Sequence, residues 1–279
     1  MFAHAFVRNA YLAGTFIALA CGVVGWLAVL RGQVFAGDAL SHVAFVGAIA
    51  AAVLGLDVRI GLFALTVLLA AAMAVGGRRG QADDVVIGIA FAWVLGIGLL
   101  LLALLASSAG GGSGIAATNA LFGSLYSLTA ASSAVAAIVA AGVVLTILAA
   151  IRPLLLSTLD GEAALARGLP IRLLGTAFLV ALAVVTAEST QAVGALLLIG
   201  LLAAPAGAAH RLTARPYRGL ALSAGLAVGA VWAGLALSYA ISWLPPSSAI
   251  IALAALSYLA AAGIPVIRRY PRASNASSS

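Results

Sequence analysis

The sequence contains no lysine, because all fourteen of its basic residues are arginine. A phosphate-binding loop of the form GxxxxGK[ST] requires a lysine that reaches the nucleotide phosphates. This absence excludes an ATPase site of that kind on the chain. If the chain takes part in an ATP-driven process, a separate subunit must hydrolyse the ATP.

Thiols and charges are also scarce. The single cysteine, Cys21, excludes an internal disulfide framework and a thiolate metal cluster. Only 8% of the residues are charged and 65% are hydrophobic. The apolar runs recur at the length needed to cross the roughly 30 Å hydrocarbon core of a bilayer. We therefore predict an all-α, polytopic membrane bundle without a sizeable soluble domain.

Breaks at arginine, proline and glycine divide the apolar sequence into nine predicted spans, with eight as the alternative. The nine cover residues 10–30, 39–56, 60–76, 85–106, 129–151, 173–189, 192–209, 219–242 and 248–267. They form one predicted membrane domain, 1–271, which a short polar tail at 272–279 follows.

The formal net charge of +7 has a topological explanation, because most of the arginines lie at the ends of the spans. Such clusters mark cytoplasmic connections, so the charge does not indicate nucleic-acid binding. The resulting orientation places the carboxyl end in the cytoplasm. Arg8 and Arg59 then fall outside, as exceptions to the rule.

Asp38 and His42 are the main candidate site, at the start of the second span. Residues four apart lie on one face of a helix. An ionisable group near the bilayer centre costs roughly 2.5 to 3.5 kcal/mol on insertion scales, so it usually faces a polar path or a partner. The pair is a candidate to line a cation path. The alternatives are an Asp–His hydrogen bond that only fixes packing and an N-cap role for Asp38.

Three further features are weaker. Glu188 lies near the outer end of its span and is a candidate for the entrance of the path. Pro205 interrupts a span and is a candidate hinge. Between Ser157 and Pro170 the Ala/Leu pattern, closed by glycine and proline, predicts a short amphipathic cytoplasmic helix.

Several motifs, in order, resemble one known family, the permease subunits of ABC importers for zinc, manganese and iron. The most telling is GDALSH at 37–42, followed by Gly47. The others are CGVVG (21–25), DVVIG (84–88), LFGSL (121–125), RPLL (152–155), LD (159–160), AALARGLP (163–170) and VGALL (193–197), which leads into Pro205 and Ala206. One departure from the family pattern is Pro245-Pro246-Ser247-Ser248, where Pro-Ser-Gly is usual.

The resemblance implies the permease fold of a type II ABC importer in a bacterial cytoplasmic membrane. It implies a homodimer with the path at its interface, two cytoplasmic ATPase subunits that bind the ATP, and an extracytoplasmic solute-binding protein. No cofactor is bound permanently, since the divalent metal (zinc, manganese or iron) is the substrate. It also implies a coupling helix at about 158–169, formed by Asp160, Glu162, Ala163, Ala166, Arg167, Gly168 and Leu169.

A gradient-driven cation carrier is the alternative function, with Asp38, His42 and Glu188 as a relay. Two sequence features separate the two functions. A carrier does not need the cytoplasmic helix near Asp160, and many carriers contain inverted repeats, which are not visible here.

Overall fold

The computed structural model describes residues 4–77, 82–108, 123, 125–195, 198–241 and 243–263. The predicted polar tail at 272–279 and the end of the predicted domain at 271 lie outside the described residues. So do the arginines at positions 78, 79, 268 and 269, which contribute to the predicted orientation.

Every regular element of the described part of the chain is helical, in agreement with the predicted all-α class. Within the described ranges, one 3₁₀ turn, Leu125–Ser127, accompanies eleven α-helices. The α-helices are α1 (Ala5–Leu30), α2 (Val34–Val53), α3 (Val58–Gly76), α4 (Asp84–Ser108), α5 (Ala130–Ala149), α6 (Ile151–Leu159), α7 (Gly161–Ala166), α8 (Ile171–Val193), α9 (Leu198–Leu212), α10 (Pro216–Ala240) and α11 (Pro246–Gly263).

Eight of the described helices are long and apolar enough to cross a membrane. They are α1 to α5, α8, α10 and α11, each of which matches a predicted span. The remaining predicted span, 192–209, corresponds to α9, an apolar helix of 15 residues. At 1.5 Å per residue α9 is about 22 Å long, shorter than the hydrocarbon core. By length and composition alone, α9 therefore falls outside the set of eight, although it runs from the end of α8 at the Arg59 side to His210, whose ring contacts the Trp26 carbonyl near Arg31.

Helix α1 lies in the middle of the bundle, where it packs against α5, α8, α9 and α10. Its CGVVG motif makes these contacts close. A Cβ added at Gly22 would lie 2.5 Å from the Cα atom of Ala224 in α10. At Gly25 an added Cβ would meet the carbonyl oxygen of Leu202 in α9. Small residues let helices approach closely where lipid removes the hydrophobic driving force.

Helix α2 packs against α3, α4 and α8. Its contact with α3 is made backbone to backbone at Gly47 and Gly61. A Cβ added at Gly47 would lie 2.5 Å from the carbonyl oxygen of Gly61. The two helices cross where neither has a side chain, so α2 is held tightly between its neighbours.

Hydrogen bonds between helices define the two ends of the bundle. At the Arg31 end, the turn between α1 and α2 contacts α6, because Arg31 donates to Thr158. At the opposite, Arg59 end, the start of α3 contacts the end of α8 and the start of α5. The predicted orientation makes the Arg31 end cytoplasmic.

The predicted coupling helix at 158–169 is shorter than expected. Helix α6 ends at Leu159, and the separate helix α7 covers only Gly161–Ala166. The Asp160 carboxylate divides them, because it accepts a hydrogen bond from the Ala163 N–H at 2.9 Å and caps α7. Gly168, with φ of +72°, ends the segment as a left-handed residue.

The sequence Pro245-Pro246-Ser247-Ser248, which departs from the family pattern, forms a regular helix start. Helix α11 begins at Pro246, and the Ala249 N–H donates to the Pro245 carbonyl at 3.1 Å. Proline suits the first position of a helix, where an N–H would lack an intrahelical acceptor.

We predict that Gly47→Ala destabilises the protein by about 1 to 3 kcal/mol, because the added methyl group would force α2 and α3 apart. Gly229→Ala in α10 is the control, since open space surrounds a Cβ at that position. Thermal unfolding of both variants in detergent micelles would measure the effect. Equal unfolding midpoints for the two variants would contradict this account of the crossing.

Candidate metal path

Two small residues of the GDALSH motif set the rotation of α2. A Cβ added at Gly37 would lie 2.7 Å from the Cδ2 atom of Leu202 in α9, so glycine permits this approach. One turn later, the buried Ser41 hydroxyl lies 3.0 Å from the carbonyl oxygen of Ala195, beyond the end of α8. Gly37 and Ser41 therefore mark the face of α2 that is turned into the bundle.

Asp38 and His42 lie on an adjacent face of the same helix, about 100° around the axis from Gly37 and Ser41. Both residues are half-buried. The His42 ring packs edge to face against Phe91 of α4, with centroids 5.2 Å apart. Phe35, one turn before Asp38, also contacts Phe91, at 6.5 Å between centroids. The pair is thus held on one stripe, between the bundle and its surface.

The structure tests both packing alternatives for this pair. Helix α2 starts at Val34 with Gln33 as its N-cap, so the N-cap interpretation of Asp38 is wrong. Within the described part of the chain, neither the Asp38 carboxylate nor the His42 ring has a hydrogen-bond partner. The two side chains are available for a ligand.

One chain does not bring a larger set of ligands together. Among the described residues, no group of three or more His, Cys, Asp or Glu side chains is arranged to hold a metal ion. Transition metals in proteins usually take four or more ligands. A carboxylate and an imidazole from one chain would therefore supply only about half of the ligands of such a site.

Glu188 lies in a different environment from this pair. Its side chain is buried in α8, and its Oε1 atom forms an ion pair with Nη2 of Arg59 at 3.6 Å. Arg59 also donates from Nε to Oε1 of Gln191 at 3.1 Å and from Nη2 to the Ser132 carbonyl at 3.5 Å. One guanidinium thus joins α3, α5 and α8 at the Arg59 end.

A cavity of about 360 Å³ opens beside this ion pair. Its polar lining comes from Asp57, Arg59, Ser127, Ser132, Thr190 and Gln191. Arg59 lines this cavity and pairs with Glu188, which is not itself part of the lining. The path role of Glu188 stays a prediction.

The contacts of Arg59 do not follow from local sequence patterns. The positive-inside rule treats this residue only as an exception. The available signal was that Glu188, a lone carboxylate in an apolar run, falls at the same predicted end as this lone arginine. Two isolated opposite charges at one membrane depth favour an ion pair.

Most of the predicted coupling residues are exposed on a turn at the Arg31 end, whereas Ala163 and Leu169 are half-buried. Glu162, Ala166, Arg167 and Gly168 are exposed, and Asp160 caps the helix. Leu165 is 53% exposed beside them. Pro205 is buried within α9, and its hinge role stays a prediction.

We predict that Arg59→Gln destabilises the protein more than Glu188→Gln does. The first change leaves a buried carboxylate without its counter-charge, at a cost of about 3 kcal/mol or more. The second leaves an arginine whose side chain is 30% exposed and keeps two other acceptors. Thermal unfolding in detergent would measure both variants. The double variant should regain part of the stability lost in Arg59→Gln, whereas strictly additive losses would contradict the ion pair.

Comparisons with known proteins identify the family to which this chain belongs. The model of the family described as "ABC 3 transport family" matches residues 3–264. The manganese transport system membrane protein MntC of Halalkalibacterium halodurans is 29% identical over 236 residues, which cover 84% of this chain and 79% of that protein. The manganese import system permease protein ScaB of Streptococcus gordonii is 28% identical over 95% of this chain and 93% of that protein.

A solved structure is similar over almost the whole chain. A chain of PsaBC from Streptococcus pneumoniae in complex with Fab superposes with a TM-score of 0.82 at 27% identity, covering 96% of this chain and 95% of that chain. The protein is therefore a multi-pass membrane protein of the ABC 3 transport family, and its resemblance to the permease subunits of zinc, manganese and iron importers is confirmed.

Proposed function

We propose that the chain is the membrane-spanning subunit of an ATP-driven importer of a divalent transition metal and moves the ion by alternating access. The observation that carries this proposal is the Asp38 and His42 pair, which is half-buried on one face of α2 and has no side-chain hydrogen-bond partner among the described residues. Carboxylate oxygen and imidazole nitrogen are ligands that first-row divalent metals accept.

Two chains are needed to complete the site. We place the path between two copies of the protein, so that each contributes one Asp38 and one His42. Four ligands of moderate strength suit a transporter, because the ion must be released as well as captured. The site then exists only while the two chains hold the right distance, which a rigid-body movement changes.

Manganese is the proposed substrate, with zinc and iron as alternatives. The proteins named MntC and ScaB are described as manganese transport and manganese import proteins. A mixed oxygen and nitrogen site without thiolate is compatible with manganese and favours no softer metal. The gradient-driven alternative is not favoured, since the chain belongs to an ABC family.

Partners and orientation complete the proposal. The Arg31 end faces the cytoplasm, where two ATPase subunits dock on the exposed turn around α7, and the carboxyl end lies on the same side. A solute-binding protein delivers the ion to the Arg59 end. Glu188 is a weaker candidate for the proposed path. In this proposal the entrance is closed while Arg59 is paired with the Glu188 carboxylate. ATP binds to the partner subunits and not to this chain.

We predict that Asp38→Asn and His42→Ala each abolish ATP-dependent Mn²⁺ uptake. The measurement is uptake of Mn²⁺, Zn²⁺ and Fe²⁺ by vesicles that contain this chain with its ATPase and solute-binding protein. Asp83→Asn is the matched control, because Asp83 is exposed and its cap to the Val85 N–H suits asparagine equally well. Undiminished uptake by both Asp38→Asn and His42→Ala would refute the assignment of the site.

We also predict that Leu165→Asp weakens binding of the ATPase subunit at least about tenfold, because a charge replaces an apolar contact at the centre of the proposed docking surface. Leu212→Asp is the control, since Leu212 is an exposed leucine at the end of α9, where His210 contacts the Trp26 carbonyl at the same end of the bundle. Copurification of the ATPase with each variant would measure the loss. Equal recovery from the two variants would argue against docking on α7.

A further inference from the structure

Arg31 is buried, which its topological role does not require. The positive-inside rule asks only that an arginine lie on the cytoplasmic side. The residue follows the last residue of α1 and is 8% exposed. Burial lowers the pKa of its guanidinium to about 10, so the side chain keeps its charge at neutral pH. A charge in such a place is costly unless specific partners hold it.

The Arg31 side chain is held by two contacts, one with α6 and one with α8. Its Nη1 atom donates a hydrogen bond to the Thr158 hydroxyl of α6 at 3.2 Å. Its guanidinium carbon lies 4.9 Å from the centroid of the fully buried Phe178 ring in α8. The Thr158 hydroxyl uses its own hydrogen to bond the Leu154 carbonyl at 2.6 Å, so it is fixed as an acceptor for Arg31.

The position of this contact in the sequence matters for transport. Thr158 is two residues before Asp160, the cap of α7. Arg31 is three residues before the start of α2 and seven before Asp38. The hydrogen bond therefore connects the proposed ATPase-docking segment to the helix that carries the proposed metal ligands, over a short and ordered stretch of backbone on each side.

The turn around Arg31 is incompletely satisfied in this conformation. Among the described residues, Nε of Arg31 and both polar side-chain atoms of the buried Gln33 have no hydrogen-bond partner. Buried polar groups are normally paired, so these two donors and one acceptor are free to form hydrogen bonds in another position of the turn.

We propose that Arg31 is a positioning residue for transport, which transmits movement of α6 and α7 to α2 through its hydrogen bond to Thr158. When the ATPase subunits displace α7, Thr158 moves the guanidinium, and the turn carries the start of α2 with it. The spacing of the Asp38 and His42 pairs in the two chains changes as a result. This inference rests on the proposed function. It adds a physical connection between the proposed ATPase-docking turn and the proposed metal ligands.

The test measures ATP hydrolysis and Mn²⁺ uptake in the same vesicles, with the full complex of this chain, its ATPase and its solute-binding protein. Arg31→Met removes the charge and all donors at similar length, and Thr158→Val removes the acceptor at the same size. We expect each to lower Mn²⁺ uptake about fivefold or more, a typical size for coupling between sites, while ATP hydrolysis stays within about twofold of wild type. Thr158→Ser, which keeps the hydroxyl, should restore uptake.

The double variant and a control separate coupling from loss of structure. If the two side chains act through one bond, Arg31→Met with Thr158→Val loses no more uptake than Arg31→Met alone. Arg152→Met, at an exposed arginine of α6, should behave like wild type.

Uptake and hydrolysis that fall in proportion, or losses that multiply in the double variant, would overturn this inference. Wild-type vesicles that hydrolyse ATP but accumulate no divalent metal would instead overturn the proposed function.

Discussion

The close approach of α2 to the rest of the bundle fixes where its two ionisable side chains point. Gly37 leaves room for Leu202, and Ser41 contacts the Ala195 carbonyl, so the helix has one rotational setting. A larger residue at position 37 would push that face outward and turn the neighbouring stripe with it. Because Asp38 and His42 lie on this stripe, the packing of α2 decides whether they can meet a metal ion.

Few charges enter the bundle, and the partners of each one indicate its role. Glu188 and Arg59 neutralise one another across helices, which is a structural arrangement that can also close the Arg59 end. Arg31 is held by an aromatic ring and a hydroxyl, at the junction between α1, α6 and α8. Asp38 and His42 differ from these, since no group of the described chain satisfies them. An unsatisfied pair in an apolar bundle is where a transported cation would compensate the cost of burial.

The sequence predicted the spans and the main candidate pair, because both depend on local patterns. Hydropathy located the helices, and the four-residue spacing placed Asp38 and His42 on one face. Sequence patterns did not reveal the contacts of Arg31 and Arg59. Thr158 lies 127 residues from Arg31 in the sequence, and Gln191 lies 132 residues from Arg59. The predicted helix at 158–169 was too long, because one Asp160 hydrogen bond divides it from α6. Such side-chain contacts depend on how helices pack, which hydropathy does not encode.

The central claim, that two chains share one ion between their Asp38 and His42 pairs, can be tested by electron paramagnetic resonance. Mn²⁺ bound to the purified complex would be examined with histidine labelled with ¹⁵N. The account predicts one Mn²⁺ for two chains and hyperfine coupling to two imidazole nitrogens, which falls to one nitrogen in a mixed dimer with a single His42→Ala chain. One Mn²⁺ in each chain, or a spectrum without imidazole coupling, would contradict it.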